Sequence, residues 1–206
     1  MGLPETDTRR ILAMGLLGSG LSMAYHHEDA LPVKEAELAT LRRIGAPEAP
    51  ILVVQGNLAS TYACLGRRKQ ALSMRRDVYS GWLKLKGEEH HDTLREANNL
   101  ARGLNQLLQF AEVKSLMLKT VPTAWRVLGE SHDLTLSMRC CYGEAIYADP
   151  AATLDDLREA VATLEDTERI TRRVLGGAHP ITARIERALR ESRAVLRIRD
   201  TPPANA

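Results

Sequence analysis

The chain is predicted to be all-α, an array of antiparallel helical hairpins with about nine helices, and three observations carry that reading. The first is a repeat. GEEHHDTLREANNLA (Gly87 to Ala101) overlies GAPEAPILVVQGNLA (Gly45 to Ala59) after a step of 42, with Gly87 on Gly45, Asn99 on Asn57, Leu100 on Leu58 and Ala101 on Ala59. GESHDLTLSMRCCYG (Gly129 to Gly143) lies 42 further on, with His132 under His90 and Thr135 under Thr93. A fourth copy, GGAHPIT from Gly176, follows a step of 47, so five residues are inserted before it. A fixed period in this range marks stacked repeats. The second observation is that Ala, Leu, Arg and Glu, all strong helix formers, dominate the sequence. The third is that aromatics make up only 4%, with Phe110 the single phenylalanine, against the β-branched and aromatic content of sheets.

Composition also narrows the function. Apolar residues at 44% and charged residues at 26% are those of a soluble globular chain. A net charge of +2 is too small to point to nucleic acid. Cys64, Cys140 and Cys141 are too few and odd in number for a disulfide framework, which argues for a reducing compartment. Adjacent Cys140 and Cys141 read as reduced packing residues. Arg9-Arg10 before ILAMGLLGSGL resembles a short signal peptide, but Glu5 and Asp7 sit where that signal wants positive charge. No apolar stretch reaches the ~20 residues needed to cross a membrane. The expectation is a cytoplasmic protein with no membrane and no nucleic-acid partner.

Residues 1–7 read as a disordered tail, and 8–198 as one array. Residues 8–44 form a degenerate first hairpin: Ile11, Leu12, Met14, Leu16, Leu17 and Leu21 favour a helix from Thr8 to Met23, weakened by Gly15, Gly18 and Gly20. Leu31, Leu38 and Leu41 space a cleaner helix from Glu28 to Ile44, which Gly45 and Pro47 end. Repeat 45–86 holds helices Ile51 to Leu65, capped by Gly66, and Lys69 to Lys86, stopped by Gly87. Repeat 87–128 opens with Thr93 and Glu96 as a capping box, and its first helix reaches Leu107. Its internal turn near Leu108 and Gln109 has lost the glycine. Its second helix, Ala111 to Leu128, contains Pro122, which should kink it. Repeat 129–175 holds Leu134 to Ala148 and Leu154 to Leu175, with the five extra residues in the Asp149 to Thr153 connection. Pro180 opens a charged capping helix in 176–198, and 199–206 read as a second disordered tail.

The phrase Asn-Leu-Ala-x-x-Tyr-x-x-Leu-Gly-Arg-x-x-x-Ala-Leu at Asn57 to Leu72 resembles a tetratricopeptide (TPR) repeat. The period of 42 and the linker Leu-Gly-x-x-His-Pro-x-Thr at Leu175 to Thr182 narrow the resemblance to the kinesin light chain type, over roughly residues 26 to 195. No heptad-rich segment like that of a kinesin light chain accompanies it. The resemblance implies a right-handed superhelical solenoid whose concave face, lined by the first helix of each hairpin (helix A), holds an extended partner segment. It also implies that Asn57 and Asn99 bond the backbone of that segment. Cys141 and Ala188 replace the asparagine in the last two copies.

The residues themselves offer a binding stripe. Positions four before and three after Asn99 share its helix face, so Arg95, Asn99, Arg102 and Gln106 align, with Asn98 beside them. Asparagine can donate to and accept from a peptide backbone, and arginines pair bidentately with carboxylates. That stripe suits an acidic or C-terminal peptide segment. Val53, Asn57, Ser60 and Cys64 provide a smaller lining in the preceding repeat, and Ser137, Cys141, Glu144 and Tyr147 a continuation in the next. The opposing reading makes the arginines ordinary surface residues and Asn99 a bond within the stack.

Catalytic and metal signatures are missing from the sequence. His90, His132 and His179 recur at the repeat step, so they read as turn residues that cap or pack, and His26-His27 and His90-His91 lack the helical spacing of a zinc pair. There is no phosphate loop, nucleophile elbow or Cys-x-x-Cys. Trp82 and Trp125 lie on second (B) helices and read as interhelix packing. The sequence therefore predicts a non-catalytic scaffold, without cofactor or metal, that binds protein or peptide partners. Self-association through a terminal hairpin is the alternative.

Overall fold

A computed structural model of the chain describes residues 5–201, and among these there are nine helices and no strand. They are α1 (Glu5–Met23), α2 (His27–Arg43), α3 (Glu48–Cys64), α4 (Arg68–Lys86), α5 (His91–Gln106), α6 (Phe110–Leu128), α7 (Asp133–Ala148), α8 (Leu154–Leu175) and α9 (Pro180–Asp200). Every helix expected from the sequence is present. Both outer limits differ: α1 begins at Glu5, inside the stretch read as a tail, and α9 runs to Asp200. Residues 1–4 and 202–206 of the two expected tails lie outside the described residues. The chain resolves into two compact units, Met1–Gly87 and Glu88–Ala206, where the sequence suggested one array over 8–198.

In the first unit α1 packs on α2, α2 on α3 and α3 on α4. Leu38, Leu41, Val54, Leu58, Tyr62 and Ala71 form its core. Trp82 packs beside Leu52 and Val78. The glycines of α1 have a packing reason. A Cβ on Gly15 would come 3.0 Å from Glu37 Oε1, and one on Gly18 would come 3.0 Å from Lys34 Cγ. The helix is thin where two long charged side chains of α2 lie against it. Both are buried, and burial holds the Lys34 ammonium below and the Glu37 carboxyl above its ordinary pKa.

In the second unit α5 packs on α6 and α7 on α8, while α5, α7 and α9 also contact in succession. Cys140, Leu164, Ile185, Ala188 and Leu189 form one core cluster there. Gly143 lets α7 and α8 meet closely, since an added Cβ would lie 2.8 Å from Leu164 Cγ. α6 passes through Pro122 as one helix, as α2 does through Pro32. Gly87, Gly129 and Gly176 end α4, α6 and α8 at φ of 82°, 97° and 81°, with ψ of 174°, 159° and 164°, a region open essentially to glycine alone.

The expected capping box at Thr93 and Glu96 is not formed. α5 starts two residues earlier, so Thr93 and Glu96 fall inside it and are buried. The capping box is at Thr153, whose Oγ1 accepts from the Asp156 backbone N–H while Asp156 Oδ2 accepts from the Thr153 N–H. It pins the end of the inserted connection, and Lys114 Nζ pins its start at 2.9 Å from Asp149 Oδ2.

Candidate functional site

The side chains of α5, α7 and α9 are phased by one recurring cap. His90 Nδ1 accepts from the Asp92 N–H at 3.2 Å, His132 Nδ1 from Leu134 at 3.1 Å, and His179 Nδ1 from Ile181 at 3.2 Å. The ring nitrogen does what a serine or aspartate oxygen does at other helix starts, satisfying a donor that has no partner within the helix. It can accept only with the ring proton on Nε2. The three histidines are thus turn residues that cap, as their spacing implied.

With that start fixed, α5 divides its polar residues between two tasks. At its N-terminal half, Arg95 Nη1 lies 2.8 Å from Asp92 Oδ1, and Arg95 Nε lies 3.5 Å from Glu96 Oε1. Asn99 Nδ2 donates to the same Glu96 oxygen at 3.2 Å. Glu96 is 4% exposed and occupies the register position held by Val54, Met138 and Ile185 in the other copies. At its C-terminal end, Arg102 and Gln106 are exposed and line a cleft of about 340 Å³. Leu108 and Phe110 border it, with Glu144 and Tyr147 from α7 and Arg184 and Arg187 from α9. Arg102 and Arg187 form no hydrogen bond or ion pair among the described residues.

A network ties Glu144 and Arg184 of the cleft to side chains outside its lining. Arg184 grips Glu144 with two bonds, Nη2 to Oε2 at 2.6 Å and Nε to Oε1 at 3.0 Å. Its guanidinium also lies 3.1 Å from Cys141 Sγ and 3.4 Å from Ser137 Oγ. Ser137 Oγ and Cys141 Sγ in turn donate to Asn98 Oδ1 of α5, at 3.3 and 3.6 Å. Burial raises both the Cys140 and the Cys141 thiol, so neither is an activated nucleophile. Burial alone would lower Arg184, but the neighbouring thiols and Glu144 hold it above its ordinary value. Tyr147 Oη donates to Glu191 Oε2 at 2.6 Å, and burial with that bond pushes its phenol up.

Solved structures supply the comparison. A putative kinesin light chain of Podosopora anserina with nearly identical TPR-like repeats matches at a TM-score of 0.78 and 21% identity, over 96% of this chain and 91% of that one. The P. vanneervenii protein BtubC (BKLC) matches at a TM-score of 0.61 and 14% identity, over 94% of this chain and 82% of that one. The fold is that of the TPR-like repeats. No family model matches the sequence, and no curated protein matches it.

Within this TPR-like framework the expected stripe is only partly assembled as such. Arg102 and Gln106 line the cleft, while Arg95 and Asn99 are engaged with Asp92 and Glu96 on the preceding turns. Asn98 is buried against α7, bonded within the stack. Asn57 belongs to the first unit, exposed on α3, and lines a separate pocket there. Arg184 and Arg187 belong to the last helix, which the sequence presents only as a charged cap. Repeat register could have found both, since Arg184 falls on Arg95 and Arg187 on Asn98 when His179 is laid on His90. Trp82 is buried, as expected of packing, whereas Trp125 is 47% exposed with the Arg139 guanidinium 5.7 Å from its ring centre.

Proposed function

We propose that the TPR-like chain is a binding module, without catalytic function, that holds an extended acidic segment of a partner protein in the cleft of its second unit. The observation that carries this reading is the pair Arg102 and Arg187, two guanidiniums without a carboxylate partner among the described residues, lining one cleft with Leu108. Unpaired guanidiniums fit carboxylates bidentately. Leu108 is 72% exposed, an apolar anchor point beside them. Gln106 supplies an amide donor and acceptor for a peptide backbone, and Asn99, whose Nδ2 is taken by Glu96, keeps its Oδ1 as an acceptor on the same helix face. Arg95 contributes less because Asp92 and Glu96 already neutralise it. Glu144 is held by Arg184 and so does not oppose an acidic ligand as a free charge would. The three free cysteines support a reducing, cytoplasmic setting.

Binding of acidic peptides carrying one large apolar residue tests the proposal. Arg102→Glu with Arg187→Glu should weaken Kd at least about tenfold with helicity unchanged, and the wild-type affinity should fall with added salt. Arg95→Glu should change Kd less than Arg102→Glu. Equal binding by wild type and the double variant would remove this reading.

Self-association is the second reading, and a different feature favours it. Leu12, Leu16 and Met23 of α1 are 61%, 76% and 82% exposed, at spacings that put them on one side of the helix. A mass that rises with concentration, and reverts to monomer in Leu12→Glu with Leu16→Glu, would favour it.

A further inference from the structure

A second pocket, of about 250 Å³, lies wholly within the first unit among α1, α2 and α3. Ser19, Ser22, His27, Lys34, Asn57, Ser60, Thr61 and Cys64 contribute its polar lining. Lys34 is 5% exposed. Its Nζ donates to Ser22 Oγ at 2.6 Å and to Thr61 Oγ1 at 2.9 Å. An ammonium has three donors, and the third meets no acceptor among the described residues. Cys64 attracts the charge, and so does Glu37, one turn along α2, from beyond 4 Å without an ion pair.

A buried charge without a counterion is costly, and folds avoid it unless something compensates. The hydrogen bonds of Lys34 go to two neutral hydroxyls only, with Cys64 and Glu37 attracting the charge from further off. Thr61 Oγ1 also donates to the Asn57 carbonyl at 3.1 Å, so it is fixed as an acceptor for Lys34. The Ser19 hydroxyl and the Asn57 amide add neutral donors, while the Ser60 hydroxyl already donates to the Gly56 carbonyl at 3.1 Å and accepts from Arg75 Nη2 at 3.2 Å. The Nδ1 atom of His27 is buried and has no partner among the described residues. One positive charge, one spare donor and a few neutral donors match a monovalent carboxylate. A phosphate dianion would call for more charge than the pocket offers.

We propose that this pocket is a carboxylate-binding site, in which the Lys34 ammonium, held by Ser22 and Thr61, takes one carboxylate oxygen and the Asn57 amide the other. Two sources share that chemistry: a small organic acid and the C-terminal carboxylate of a polypeptide. The site lies in a different unit from the arginine cleft, so either can fail without the other.

Cys64 makes the test specific. It lines the pocket and is exposed, whereas Cys140 and Cys141 are buried. Alkylation of Cys64 on the full chain is followed by mass spectrometry with iodoacetate, which carries a carboxylate, and with neutral iodoacetamide. The expected result is that Lys34→Met lowers the iodoacetate-to-iodoacetamide rate ratio about tenfold, which is one carboxylate–ammonium interaction expressed in rate. Acetate, or a short peptide with a free C-terminus, should protect Cys64 in the wild type, and the C-terminally amidated peptide should not. Protection by acetate equal to that by the peptide acid identifies a small acid as the ligand, and protection by the peptide acid alone identifies a chain terminus. Ser60→Asp, at an exposed position, should abolish protection even if Lys34→Met does not fold. An unchanged ratio in Lys34→Met, or no protection of the wild type by either carboxylate, overturns the proposal.

Discussion

Leu108 carries the sharpest conflict between a residue and its backbone. It sits at φ 59°, a step of 42 after Gly66 at φ 76°, in the turn where the first of these repeats has glycine. A side chain in the left-handed region costs about 1–2 kcal/mol, and this one is also exposed on the rim of the arginine cleft. Strain kept at a solvent-exposed apolar residue is what a binding anchor would explain. Leu108→Gly should therefore raise stability, by about 0.5–1 kcal/mol after glycine's own entropy cost, and weaken peptide binding at the same time. Loss of stability with binding intact would contradict it. The missing glycine was legible in the sequence, but its consequence was not, because only the structure puts Leu108 beside Arg102. The reverse holds for Asn98 and Asn99. Their face was assigned by helical spacing, yet adjacent residues differ by about 100° on a helix, and the contact with Ser137 shows which of them turns toward α7.

Helices were read more reliably than their caps. Periodicity and glycine stops located all nine, because an apolar stripe and a residue that tolerates positive φ are both local signals. The N-cap of α5 is His90 and not Thr93, because Ser/Thr-x-x-Glu occurs inside helices as well as at their starts. There Glu96 is buried and bonds Asn99 instead of reaching back to an N-cap. Helix contact gives a prediction at this scale. Gly143→Ala gains about 1 kcal/mol of helix propensity but forces the branched end of Leu164, within 2.8 to 3.1 Å, to move. Overpacking of that kind costs about 1–3 kcal/mol, so a net loss near 1 kcal/mol is expected in urea unfolding. Gly81→Ala meets chiefly one terminal methyl, Leu52 Cδ2 at 2.5 Å, which can rotate away, so it should cost less. If the two variants were equally stable, close α7–α8 contact would not be what Gly143 serves.

The chain as a whole divides in its response to acid. Asp149, Asp156 and Asp166, all in the second unit, are held below their ordinary pKa by bonds from Lys114, from Thr153 and from Arg139 respectively. A lowered carboxylate contributes stability above its unfolded value and loses it as pH falls through the folded one, so the second unit should weaken below about pH 4. Glu37 in the first unit has the opposite sign: burial raises it, so protonation there favours the folded form. Trp82 lies in the first unit and Trp125 in the second, so Trp125→Phe and Trp82→Phe give one fluorescent probe to each. Between pH 6 and 3.5 the urea midpoint reported by Trp125 should fall more than that reported by Trp82, and superimposable midpoints would show the units unfolding as one. The joints between hairpins suggest something further. Gly129 donates to Trp125 and accepts from His132, and His132 bonds Leu134 and accepts from Leu136. Gly176 and His179 repeat the arrangement with Arg172, Ile181 and Ala183. Each joint settles these backbone groups among its immediate chain neighbours, although the His132 ring also meets His91 of the preceding repeat edge-on. The two joints lie 47 residues apart, so a cut at both would remove one whole repeat with its insertion and leave the backbone bonds of the rejoined seam supplied by its own residues, and repeat number can change in a single recombination event without first repairing those bonds.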